Sequence, residues 1–181
     1  MISWLIEILK NKLRQIDEYC NLREFRLKYT QVKSQLERVP PELLRQEVIG
    51  ILSEKAHFNS RVSVPAPEER RILDKLHPSI RQIFEKYQYL YPVNAHTVYS
   101  REKIGPSVNA AGYMRIAWSM DYTEIVARPG KEPVYQIDGT EKSSEEYDSY
   151  PSIYHWILLE EWIACDDDFL VTDFVDFAHD A

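Results

Sequence analysis

Glu124-Ile125-Val126-Ala127-Arg128-Pro129-Gly130-Lys131-Glu132-Pro133-Val134-Tyr135-Gln136-Ile137-Asp138 is the stretch that decides the fold. Two runs rich in branched and aromatic residues flank a Pro-Gly pair. Such runs suit extended, half-buried chain. Pro followed by Gly suits the two central positions of a type II turn, the first fixing φ near −65° and the second accepting positive φ. The stretch predicts an antiparallel hairpin. Upstream, Tyr113 to Ser119 reads as a further strand and Thr97-Val98-Tyr99-Ser100 as a short one, with Gly105-Pro106 as a turn between them. Downstream, Asp138-Gly139 ends the hairpin and residues 140–151 read as a polar loop. Ser152 then caps a helix over Ile153 to Ile163 that is apolar on most sides, so it is expected to pack deep against the sheet. The run from Phe169 to Phe177 fits either a helix or a strand.

The first third of the chain reads as helix. Ile2, Leu5, Ile6, Leu9, Leu13, Ile16 and Cys20 share one helical face. Leu22, Phe25, Tyr29, Val32, Leu36 and Val39 continue at spacings of three and four, with a phase shift near Cys20-Asn21. This seam either covers its own domain or meets a partner. Pro40-Pro41 ends the segment, and Pro41 opens a helix with Leu43, Leu44, Val48, Ile51 and Leu52 on one side, because a first-turn proline lacks only an N–H that has no helical acceptor. Residues 57–67 lack helical spacing and carry Pro65 and Pro67, which marks a boundary. Pro67 begins another helix with Glu68 and Glu69 in its first turn, and Pro78 restarts it, with Ile80, Ile83, Phe84 and Tyr87 as its apolar stripe. The expected class is α+β: an N-terminal helical segment over 1–56, then an antiparallel sheet packed with helices over 67–181.

Charge is distributed unevenly. The chain has 181 residues and a net charge of −7, yet residues 138–181 alone hold thirteen Asp and Glu against one Lys. Asymmetry of this kind speaks to partners rather than fold. An acidic end repels nucleic acid and anionic membrane and attracts a basic protein; its plainer role is solubility. No apolar run reaches the ~18–20 residues of a membrane span. Two cysteines, Cys20 and Cys165, make no disulfide framework, so a reduced, cytoplasmic setting is expected.

Chemistry-bearing motifs are few. Neither GxxxxGK[ST] nor GxGxxG occurs, and five glycines leave little for a phosphate cradle. GxSxG and HExxH are also absent. The five histidines lack metal-ligand spacing, and no cofactor is expected. Aspartates beside Cys165 disfavour its thiolate, and Cys20 sits on an apolar face. Asp166, Asp167 and Asp168 offer oxygen ligands to a hard cation but lack the alternate spacing of a calcium loop. His155 has Glu160 and Glu161 five and six residues on, off its own helical face, so it reads as a structural histidine before an acid–base residue.

From residue 67 onward the layout resembles the SUKH superfamily, a group that includes bacterial immunity proteins and a yeast cell-wall regulator. His77-Pro78-Ser79-Ile80-Arg81-Gln82-Ile83-Phe84 is similar to its proline-led helix, Val134-Tyr135-Gln136-Ile137-Asp138 to its "VY..d" strand, and Ser152-Ile153-Tyr154-His155-Trp156-Ile157-Leu158 to its next helix. The "NGg" turn common after the first helix has no counterpart in Tyr87 to Tyr91, and the long helical N-terminus is not typical of the fold. The resemblance implies a non-enzymatic inhibitor that neutralises a basic toxin such as a nuclease. Its acidic contacts would be Asp138, Glu141, Glu145, Glu146 and Asp148, joined by Asp166, Asp167 and Asp168. Tyr147, Tyr150 and Tyr154 would be the aromatic anchors, since interface hot spots are enriched in such side chains. The alternatives are a regulatory or scaffolding protein that uses the N-terminal helices, or a hydrolase working through His155 and Glu160 or Glu161.

Overall fold

A computed structural model describes residues 23–55, 63–90, 97–119, 123–138 and 146–164. It divides into two compact units, residues 1–38 and 39–181. In the first, helix α1 runs over residues 23–36. Phe25 and Tyr29, one turn apart, stack at 6.3 Å between ring centroids, and Val32 and Leu36 are buried. The part of the seam before residue 23 lies outside the described residues.

The second unit begins as the prolines dictate. Helix α2 spans Pro41–Lys55, α3 Pro67–Leu73 and α4 Pro78–Lys86. Each starts on a proline, whose ring presets a helical φ where no N–H is required. In α3 the Glu69 carboxylate accepts the Ala66 N–H at 2.7 Å, supplying one orphan donor of the first turn. In α4 the cap is His77, whose Nδ1 lies 3.4 Å from the Ser79 amide nitrogen and 2.9 Å from its hydroxyl. The stripe read from sequence is the buried face: Ile80, Ile83, Phe84 and Tyr87 are all at or below 3% exposure.

The sheet follows. Its strands are β1 (Tyr89–Leu90), β2 (Thr97–Ser100), β3 (Gly105–Pro106), β4 (Met114–Ser119), β5 (Thr123–Ala127), β6 (Val134–Asp138) and β7 (Glu146–Tyr150). The order is β1-β2-β4-β5-β6-β7, antiparallel throughout, with β3 paired to β4. Helix α5 (Ile153–Ala164) closes the described chain. The class is α+β, with helices packed on an antiparallel sheet. Helix α5 lies against α2 and against β7. Helix α2 therefore falls in the same compact unit as the sheet, the two units meeting between residues 38 and 39.

The turn at the decisive hairpin is type II as expected. Lys131 N–H donates to Arg128 O at 3.0 Å across Pro129 and Gly130, and Gly130 has φ of +68°. Two expectations are corrected. Gly105-Pro106 is not only a turn: it pairs with Arg115 and Met114 as a two-residue strand. Residues 146–150, read as loop, form β7 against β6. The sequence Glu-Tyr-Asp-Ser-Tyr hides this strand, because acids are depleted in strands and only Tyr150 of the strand's described side chains is fully buried.

The register separates two sheet faces. Met114, Ala127, Val134 and Tyr150 stand opposite one another in a row across β4, β5, β6 and β7, and all four are buried. On the other face Val126 and Ile137 form a core cluster with Ala110, against which Tyr113 and Tyr135 pack. The segment 107–113, between β3 and β4, therefore folds over this second face.

Candidate functional site

Two of the strands carry acidic residues on neighbouring backbones. β6 and β7 are hairpin neighbours, and Ile137 stands opposite Glu146. The backbone of Asp138 therefore ends β6 where that of Glu146 begins β7, and residues 139–145 join them. Asp138, Glu146 and Asp148 thus lie on two paired strands, and Glu141 and Glu145 fall between them in the sequence. Glu141 and Glu145 lie outside the described residues, as do Asp166, Asp167 and Asp168. Asp148 is half-buried, and its carboxylate accepts the Ser149 N–H at 2.8 Å. Tyr147 lies on β7.

The other two tyrosines are core residues. Tyr150 is 2% exposed and donates its hydroxyl proton to Gln136 Oε1 at 3.2 Å; Tyr154 is 5% exposed. Neither ring faces solvent as an interface anchor would. Their positions explain this: Tyr150 stands opposite the buried Val134, and Tyr154 sits in the first turn of an all-round apolar helix. Burial raises the Tyr154 phenol above its ordinary pKa near 10; Arg45 opposes the shift and Glu132 adds to it.

His155 is buried at 7% exposure with its Nδ1 2.8 Å from Ser152 Oγ. The same hydroxyl accepts the Tyr154 N–H at 3.2 Å. This is the helix cap read from sequence, with the imidazole three residues on completing it. Glu160 accepts the Trp156 indole N–H at 3.1 Å, one helical turn apart.

Two buried polar clusters were not legible in the sequence. Glu124, 5% exposed, accepts the Ser107 hydroxyl at 2.7 Å and the Asn109 amide at 3.0 Å, with Arg115 Nη1 at 3.4 Å. Ser107 Oγ in turn accepts the N–H groups of Asn109 and Ala110 at 3.2 and 3.1 Å. This cluster fastens the segment over the second sheet face. The other centres on Arg101, 3% exposed, in a 3-10 turn over Arg101–Lys103. Its Nη1 donates to Ser63 O and Phe84 O, both at 3.0 Å, and Nη2 to Ser63 Oγ at 2.6 Å. Its Nε lies 3.1 Å from Glu69 Oε2, close enough to balance charge without the alignment of a hydrogen bond. Nothing local in Tyr-Ser-Arg-Glu-Lys marks Arg101 as interior. The signal is a register shift: from Val98 opposite Trp118 to Gly105 opposite Arg115, the first chain advances seven residues while β4 advances three. Four residues are looped out, and Arg101 is carried inward among them.

Among the described residues no helix is long and apolar enough to cross a membrane, and no group of three His, Cys, Asp or Glu could hold a metal ion. No protein-family model, curated protein or solved structure matches this chain.

Proposed function

We propose that this chain is a non-enzymatic protein-binding module that engages a basic partner through its acidic C-terminal part. The observation that supports the reading is the pairing of β6 with β7, which sets the backbones of Asp138, Glu146 and Asp148 on neighbouring strands, within a segment of sequence that holds thirteen acids and one Lys. A surface of one sign speeds encounter with a complementary one and discourages wrong partners. The SUKH resemblance, with its proline-led helix at Pro78 and its "VY" strand at Val134-Tyr135, makes an immunity-type inhibitor of a basic toxin the most specific form of the proposal. Tyr147 remains the aromatic contact of this reading, and the buried Tyr150 and Tyr154 leave it.

The test is affinity capture from the native host's lysate at low and raised salt, using the full chain and a variant with Asp138, Glu141, Glu145 and Glu146 changed to Lys. The full chain is expected to retain one basic protein that salt elutes. The variant is expected to bind it about tenfold or more weakly at low salt, with a flatter salt dependence. Equal retention by both would overturn the reading.

A further inference from the structure

Helices α2, α4 and α5 leave a pocket of about 180 Å³ between them. Its walls are Ile49 and Leu52 from α2, Ile83 from α4 and Tyr154 from α5. Gln82, Lys86 and Tyr87 also line it and, with the Tyr154 phenol, bring the polar side-chain ends among the described residues. The Tyr87 hydroxyl lies 3.3 Å from Ser53 Oγ, so those two groups answer one another. Lys86 is different. Its ammonium lies over the Tyr87 ring at 5.0 Å from the centroid and donates weakly to Ser53 Oγ at 3.5 Å, but neither contact neutralises its charge. Among the described residues no carboxylate lies within ion-pairing distance of it, and the Gln82 amide makes no hydrogen bond.

Size and charge together define a ligand. An apolar cavity of ~150 Å³ holds one benzene ring, whereas drug-sized ligands need ~300 Å³ or more. One ammonium with no carboxylate beside it among the described residues, next to one amide, suits a single negative charge; a phosphate dianion would want more donors. We propose that this pocket binds a small monocarboxylate with an apolar body about the size of one aromatic ring. The ring enters between Ile49, Leu52 and Ile83, and the carboxylate meets Lys86 Nζ and the Gln82 amide. The pocket uses none of the acidic hairpin, so its test is independent of the proposed protein partner.

Phenylacetate and its neutral counterpart, benzyl alcohol, are the probes, titrated into the full chain by calorimetry and by NMR of the Ile and Leu methyl groups. Phenylacetate is expected to saturate at about millimolar concentration, shifting Ile49, Leu52 and Ile83. The exposed Lys86→Met variant, which keeps the apolar stem, is expected to weaken phenylacetate about threefold or more and leave benzyl alcohol unchanged. Ile49→Phe, which fills the space from a half-buried position, is expected to abolish binding of both, with circular dichroism showing the fold retained. Absence of saturable shifts at these methyls up to about ten times the millimolar range overturns the proposal. So does a Lys86→Met variant that binds phenylacetate as tightly as the parent.

Discussion

At Gly130 the backbone holds φ at +68°, and a Cβ built there would meet nothing within 4 Å. The glycine is required for its conformation alone, since the space is open. Gly130→Ala is therefore expected to cost about 1–2 kcal/mol, the penalty of a left-handed L-residue, in urea unfolding followed by circular dichroism. Pro129 and Gly130 announce their turn because both act through their own φ. Tyr154 shows the opposite case, a residue whose role depends on what surrounds it. The folded protein keeps its phenol protonated above the ordinary pKa, chiefly through burial. As pH rises past about 10 the unfolded chain loses this proton before the folded one does, so the folded state loses stability with rising pH. Unfolding midpoints between pH 9 and pH 11 should fall less steeply for Tyr154→Phe than for the parent; equal slopes would show that the phenol does not contribute.

Among the elements, the proline-led helices and the decisive hairpin were legible, while β3, β7 and the 3-10 turn were not. Helix starts and type II turns are written in two or three adjacent residues. Edge pairing is not: β7 is held by hydrogen bonds to β6, and its sequence has the composition of a loop. The acidic hairpin was legible only as a charge excess in the chain, since its geometry needs the β6–β7 pairing. The segment 107–113 behaves likewise, being fixed by a carboxylate seventeen residues from Ser107. Glu124→Ala would leave the Ser107 hydroxyl, the Asn109 amide and Arg115 short of their acceptor. The expected cost is about 2–4 kcal/mol in chemical unfolding. Amide exchange at Asn109 and Ala110 is expected to quicken beyond what that loss of global stability accounts for, because the segment opens locally.

At the scale of the second unit, helices and sheet are joined through polar ties as well as through apolar burial. Gly130 N–H donates to Lys75 O at 2.8 Å, joining the hairpin turn to the connection between α3 and α4. Arg101 joins the looped-out turn to Ser63, Glu69 and Phe84. Arg101→Met keeps most of the volume and removes every donor, leaving the Ser63 and Phe84 carbonyls and the Glu69 carboxylate without this cation. A loss of about 3–5 kcal/mol is expected in guanidinium unfolding, with Arg101→Lys recovering part of it through one ammonium in place of a fork. A change below about 1 kcal/mol would show that water replaces the guanidinium.

The Arg101 tie also bears on the order in which a ribosome delivers this chain. Its acceptors at Ser63 and Phe84 emerge 38 and 17 residues before the guanidinium that satisfies them. Helices α3 and α4 are thus synthesised first and must wait, at ~5–20 residues per second, with those acceptors still facing water. Their final packing cannot be completed during translation until the first stretch of the sheet has cleared the exit tunnel.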